Sequence, residues 1–309
     1  MKRVFTLILS LFLLLSLFGC SAPVGEVSGE GVRVTDAFGN WTTLSAGARV
    51  VSCYGSFADC WLLSGGSLVG ITDDGVEEGI VPAGSVETVG SVKSVDMEKV
   101  ISLAPDYVIL SADLAAHRNL EGTLKAARIP YGYFRVDTFA DYKALMGQFC
   151  AVNGREDLYR TNVLEVEERI AAILAKIPAS TEADFLLMRV YSTGMKAKGD
   201  DNLAGQILKE FALANVADGN PNLLEDLSVE QVVLADPDYV FALAMGDSAA
   251  AEEFLRQNVE NNPAWSGLTA VKEGHYYMLP KDLFHYKPNE RWDESYEYLA
   301  KILYPDLFG

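Results

Sequence analysis

DMEKVISLAPDYV at residues 96–108 and SVEQVVLADPDYV at residues 228–240 are two copies of one unit, 132 positions apart. Glu, two Val, Pro, Asp and Tyr coincide, six of thirteen positions. Asp96 and Ser228 are N-cap residues, whose side-chain oxygens accept from the free amides of a first helical turn. Ser228 with Gln231 also spells a capping box. Pro105 and Pro237 stop a two-turn helix in each copy, and a buried strand follows. One helix-then-strand unit used twice predicts two related α/β lobes, each with its own sheet.

Outward from the first copy, strands over 49–53, 68–72, 107–110 and 131–136 alternate with helices over 57–63, 97–103, 114–127 and 139–152. Outward from the second, strands over 184–191, 239–243 and 276–279 alternate with helices over 203–215, 249–259 and 290–303. Apolar strands alternating with helices predict parallel sheets. Strands over 32–36 and 41–44 flank Gly39-Asn40, a hairpin signal. Between the lobes, 155–177 reads as a single helix. Val163, Val166, Ile170, Ile173, Leu174 and Ile177 keep helical spacing, with Glu165, Glu167, Glu168 and Arg169 facing away. It would run ~34 Å before Pro178 stops it. The expected fold is two Rossmann-like α/β lobes, 32–154 and 179–309, linked by one long helix over 155–178, with a cleft between them.

The chain has 309 residues, 50% hydrophobic and 22% charged, which excludes a disordered tail and leaves room for two cores. Its formal charge of −18 repels phosphate backbones, so nucleic acid is not an expected partner. His117, His275 and His285 are the only histidines and are far apart, which disfavours a multi-histidine metal centre. His117 and His275 are expected at the surface. No CxxC occurs, and Cys53, Cys60 and Cys150 are expected as free, mostly buried thiols.

At the start, Lys2 and Arg3 precede an apolar run over 4–18, too short at ~22 Å to cross a ~30 Å hydrocarbon core. It reads as a secretory signal peptide over 1–19. The run ends in Leu17-Phe18-Gly19-Cys20, which resembles the lipobox of bacterial lipoproteins, in which Cys20 becomes the lipidated first residue. Residues 20–31, rich in Ser and Gly, read as a flexible tether. The mature chain is then extracytoplasmic, tied to the cell membrane by lipid.

Together these features resemble a class III, helical-backbone substrate-binding protein of an ABC importer, the group of ferric-siderophore, haem and cobalamin binders. The segments that carry the resemblance are VTDAFG (34–39), VGSV (89–92), RVYSTGMKAKG (189–199), NPAWSGLTAVKEGHYY (262–277) and YKPNERW (286–292). Their order along the chain is more telling than any one of them. The resemblance implies capture of a metal chelate and its delivery to a permease dimer with its ATPase, by a protein expected to be monomeric.

Ligands of α/β lobes sit outside the carboxyl ends of the strands. The loops expected there carry Tyr54, Asp73-Asp74, Lys93, Arg189, Tyr191 through Lys198, Met245 and the stretch 284–287. An anionic ferric chelate calls for cations and aromatic walls, so Tyr54, Lys93, Arg189, Tyr191, Lys196, Lys198, Tyr286, Lys287 and Arg291 are the expected ligand residues. The competing reading is that these Lys and Arg are solvated loop charges and that Trp61 is core. No protein-bound metal or cofactor is expected; the ligand is a ferric siderophore, with haem or cobalamin as alternatives. His285, Met245 or Tyr54 would be the axial candidates for haem. Asp73-Asp74 with Glu77-Glu78 reads as an acidic loop. Glu98 and Glu230 fall at equivalent places in the two copies. The resemblance implies that each docks into an arginine pocket of one permease subunit; the bland account is a favourable charge at a helix start. A chelatase- or reductase-like enzyme on the same fold finds no cluster-binding cysteines, P-loop or Ser-His-Asp set here, and a surface adhesin or sensor would have no use for the matched glutamates.

Overall fold

The computed structural model describes residues 27–28, 31–225 and 227–309. The signal peptide, Cys20 and most of the tether lie outside the described residues. The chain enters through β1 (Val27–Ser28), β2 (Gly31–Thr35) and β3 (Trp41–Leu44), an antiparallel sheet in the order β1-β2-β3. The last part of the expected tether is thus paired, with Val27 opposite Val32. Asp36 shapes the β2–β3 turn by accepting from the amides of Phe38 and Asn40, each at 2.9 Å, while Gly39 supplies the positive φ of 80°.

The first lobe continues with β4 (Val50–Ser52), α1 (Gly55–Leu63), β5 (Leu68–Ile71), α2 (Asp74–Glu77), β6 (Glu87–Thr88), the hairpin β7 (Gly90–Ser91) and β8 (Ser94–Val95), and α3 (Met97–Ser102). Then come β9 (Tyr107–Ser111), α4 (Ala115–Arg118), α5 (Glu121–Ala127), β10 (Tyr131–Phe134) and α6 (Phe139–Asn153). Its sheet, β10-β9-β4-β5-β6, is parallel throughout, as the apolar strands require. The helix expected over 114–127 is broken in two. There His117, expected at the surface, is fully buried. It accepts from the Ser111 amide (2.9 Å), and its other ring nitrogen lies 2.9 Å from the Val92 carbonyl. A Thr138–Asp141 capping box starts α6, and Gly154 ends it at φ 64°.

The connecting helix is α7 (Glu156–Tyr159) and α8 (Glu165–Leu174), joined by a π-helical turn at Arg160–Leu164. It is shorter than expected and carries a wide turn that periodicity could not show. The side chains around that turn account for it. The Asn162 carbonyl accepts from the Tyr142 hydroxyl at 3.0 Å, and the Asn162 amide donates to the Leu63 carbonyl at 3.0 Å. Backbone freed from the regular ladder is satisfied sideways.

The second lobe holds β11 (Asp184–Tyr191), β12 (Gly194–Lys198), α9 (Leu203–Glu210), β13 (Ala214–Asn215), α10 (Pro221–Glu225), α11 (Val229–Ala235), β14 (Tyr239–Ala244) and α12 (Ser248–Leu255). It closes with α13 (Thr269–Lys272), β15 (Tyr276–Met278), α14 (Lys281–Phe284) and α15 (Trp292–Leu303). Its sheet runs β12-β11-β14-β15 and is mixed: β12 is antiparallel to β11, the rest parallel. Residues 194–198, expected in a loop, are an edge strand. The repeat survives in detail. Val100 and Val232 are fully buried, and each helix ends on a left-handed residue before its proline, Ala104 at φ 45° and Asp236 at φ 41°.

Each sheet has a core of its own on one face. The other faces share a single central core that includes Phe149, Val163, Ile170, Phe211, Phe241 and Trp292. The lobes are therefore packed through the connecting helix and α15, with Arg169 of α8 ion-paired to Asp293 of α15. That continuity resists a wide hinge. Cys53, Cys60 and Cys150 are free and buried, and burial pushes the Cys53 thiol up to about 12.

Candidate functional site

The β11–β12 hairpin builds the cationic wall. Arg189 is registered directly opposite Lys196, Leu187 opposite Lys198 and Tyr191 opposite Gly194. Alternation along strands puts Arg189, Tyr191, Lys196 and Lys198 on one face. All four line a cavity of about 480 Å³. Lys198 is ion-paired with Asp201 at 3.0 Å; among the described residues Arg189 and Lys196 have no such partner. Like charges directly opposite on a sheet repel. Asp200, Asp201 and Asp218 line the same cavity, and burial and the neighbouring Asp200 hold the Asp218 carboxyl above its ordinary value.

Tyr54 follows β4 and stands at the N-cap of α1, its ring 5.1 Å from that of Phe57. Burial first, then Glu78, Asp74 and Asp113, push its phenol up to about 12, with Arg189 of the other lobe opposing. Tyr54 is thus a neutral donor that both lobes' charges reach. Beside it, the amide of Gly55 donates to Asp74 at 2.6 Å. Asp74 and Glu78 belong to α2 and its C-cap, so the expected acidic loop is a helix on the cleft. Burial, then Asp74 and Asp59, push the Glu78 carboxyl up to about 8, against Lys281. At neutral pH Glu78 holds its proton and can donate.

A second cavity, about 240 Å³, lies between the lobes, with Ser56, Asp59 and Glu78 on one side and Tyr286, Lys287, Asn289, Glu290 and Arg291 on the other. Lys287 reaches across to Asp137 at 3.4 Å, and Arg291 is held in its own lobe by Asp282 (3.2 Å) and Glu294 (2.8 Å). Those two cations are already neutralised. His285 is pushed down to about 4 by burial and by Lys281, Arg189 and Lys287, so its ring is uncharged. Trp61 is core, 1% exposed. Lys93 is exposed at the tip of the β7–β8 hairpin and lines neither cavity.

The structure thus gathers Arg189, Tyr191, Lys196 and Lys198 in one group, Tyr286, Lys287 and Arg291 in a second, with Tyr54 within electrostatic reach of Arg189. Glu78 and Asn289 line the second cavity although sequence reasoning did not place them there, whereas Asp74, expected on a cleft loop, lines neither cavity and acts on Tyr54 by its charge alone. The acidic run over 73–78 was the available signal for Glu78, and the helical turn of α2 is what brings it to the cavity. Among the described residues no group of three His, Cys, Asp or Glu side chains could hold a bare metal ion.

Glu98 and Glu230 are each the second residue of their helices, α3 and α11, and both are exposed. Asp96 caps the first helix by accepting from the Glu98 and Lys99 amides, both at 3.1 Å. The Ser228–Gln231 capping box is formed as expected.

Residues 50–283 match the family model described as periplasmic binding protein. The putative ABC transporter substrate-binding lipoprotein YhfQ of Bacillus subtilis is 27% identical over 297 residues, covering 89% of this chain and 90% of that protein. The Fe(3+)-citrate-binding protein YfmC of the same organism is 26% identical over 290 residues, covering 89% of each. Among solved structures, haem-bound IsdE of S. aureus superposes with a TM-score of 0.70 at 16% identity, covering 83% of this chain and 99% of that one.

Proposed function

Because the chain belongs to the periplasmic binding protein family, and within it to the helix-linked substrate-binding proteins of ABC importers, we propose that its cleft takes up a ferric siderophore and passes it to a permease dimer. The family role is binding and delivery outside the cytoplasmic membrane, not catalysis. The observation that carries the ligand assignment is the unpaired Arg189 facing Lys196, with Lys198 and Tyr191, on the wall of the larger cavity. A multiply charged anion relieves that repulsion on binding. Tyr54 and protonated Glu78 add neutral donors from the first lobe. Tyr286 adds an aromatic edge, while Lys287 and Arg291, held by Asp137, Asp282 and Glu294, and Lys93, which lines neither cavity, add no free charge to the site. A relative named for ferric citrate supports an iron chelate as cargo.

Lipid on Cys20 would tie the protein to the membrane, and Glu98 and Glu230 would meet two equivalent basic pockets on the permease. Equilibrium dialysis of the protein against ferric citrate, ferric catecholate and ferric hydroxamate chelates, haemin and cobalamin tests the assignment. Retention of an anionic ferric chelate, lost in Arg189→Ala, is the expected result. Retention of haemin or cobalamin alone would overturn it.

A further inference from the structure

The first sheet has two faces of opposite character. Val32 and Val34 of β2 and Leu44 of β3 point into the core, while Arg33, Trp41 and Thr43 are exposed. Thr35 pairs with Trp41 and Arg33 with Thr43, so these four share the outer face. Trp41 is 57% exposed and Phe38, in the turn beside it, 53%; they are the only aromatics among the large exposed hydrophobics of the described residues. The Arg33 guanidinium lies over the Trp41 ring, 4.6 Å from its centre. In a chain of net charge −18, this strand face carries a cation and, among the described residues of β2 and β3, no carboxylate.

The chain that precedes this sheet says what covers it. Val27 is paired opposite Val32, and Cys20 lies seven positions earlier. Seven residues span at most about 25 Å. A lipid on Cys20 therefore keeps this sheet within that distance of the bilayer at all times. Tryptophan is suited to the boundary between headgroups and acyl chains, and arginine to lipid phosphates. An acyl anchor next to a second weak contact gives an oriented attachment, because tethering raises the effective concentration of that contact.

We propose that the outer face of the β2–β3 strand pair rests on the phospholipid headgroup region, with Trp41 inserted and Arg33 on phosphate, while Phe38 packs edge-on against Tyr133, 5.5 Å between ring centres. The proposal relies on the anchor at Cys20 from the functional reading above.

The test uses the full-length lipidated protein in phosphatidylcholine vesicles, with acyl-chain-brominated phosphatidylcholine as quencher. Trp61, Trp265 and Trp292 are 1–2% exposed, so only Trp41 is within reach of lipid. Emission is expected to fall by up to about a quarter, the share of one tryptophan in four equal emitters. Trp41→Phe should remove the effect, and Arg33→Glu, which keeps the fluorophore, should at least halve it. Mass analysis of the N-terminal peptide reads the anchor separately: an unacylated Cys20 overturns anchor and contact together. An acylated Cys20 with equal emission in brominated and plain vesicles overturns the contact alone. A blue-shifted but unquenched Trp41 that reverts on dilution would put a second copy of the chain on this face, and also overturns it.

Discussion

The side-chain amide of Asn289, in the second lobe, donates to the carboxylate of Asp59, in the first, at 2.7 Å. The same amide donates to the Ser56 carbonyl at 3.0 Å, and its oxygen accepts from the Cys60 thiol at 3.2 Å. Asn289 is 1% exposed and sits at φ 51°, a left-handed position that asparagine tolerates better than most residues. Three bonds from one side chain, two of them fully buried, thus strap α1 to the segment leading into α15. Asn289→Ala should cost about 2–4 kcal/mol, since it strands buried polar groups and strains the backbone. Urea unfolding reads this directly; a loss under about 0.5 kcal/mol would mean that the strap adds nothing to the shared core.

Lys196→Ala should separate stability from binding. It removes a like-charge neighbour of Arg189, so the free protein should gain about 0.2–1 kcal/mol. Chelate affinity should fall by about tenfold or more, the loss of one charge-assisted contact. Calorimetry and thermal melts on the same preparation decide it, and a drop in both would make Lys196 a structural residue.

Stability should fall as pH rises through Glu78. Its folded value, about 8, lies above the ordinary 4.5, so the folded state keeps a proton that the unfolded chain has lost. The contribution is full below about 4.5 and is lost as pH rises through about 8. On the order of 2 kcal/mol is at stake, once screening at this partly open site is allowed for. Glu78→Gln should flatten the difference in denaturation midpoint between pH 5 and pH 8.5. An unchanged slope in that variant would assign the dependence to another group.

Glu98→Ala and Glu230→Ala should abolish uptake by cells while leaving chelate affinity within about twofold. Each side chain is exposed at a helix start, worth about 0.3–1 kcal/mol at most. Affinity lost in parallel with uptake would point to the cleft instead of the permease.

Ligand should close the cleft only slightly. The central core runs through both lobes and the connecting helix, and Arg169–Asp293, Lys287–Asp137 and the Asn289 strap tie them further. X-ray scattering should show the radius of gyration changing by no more than about 1 Å on saturation. A larger compaction would show that the core yields.

Local chemistry was enough wherever a residue's role depends on its neighbours in sequence. The caps at Asp96 and Ser228, the stops at Pro105 and Pro237, and the strand Asp184–Tyr191 lie where the sequence puts them. Edge pairing is a different matter. Gly194–Lys198 has no strong strand pattern and becomes β12 because β11 offers an open edge. The π turn in the connecting helix likewise answers to Tyr142, twenty residues away. The burial of His117 has the same cause: the Val92 carbonyl, 25 residues away in sequence, meets its ring only on folding.

The amino-acid order alone determined that this chain forms two α/β halves with a helical link, because capping, proline stops and hydrophobic period act over a few residues. It also carried the basic cluster, since Arg189, Lys196 and Lys198 are close in sequence, though not the strand pairing that sets Arg189 opposite Lys196. Three-dimensional packing decided which charges remain available. Arg291 and Lys287 are cancelled by Asp282, Glu294 and Asp137, and the end of α2 is turned so that Glu78 lines the second cavity. Coulomb interactions depend on distance through space, and those distances are set only when the two halves close around their common core.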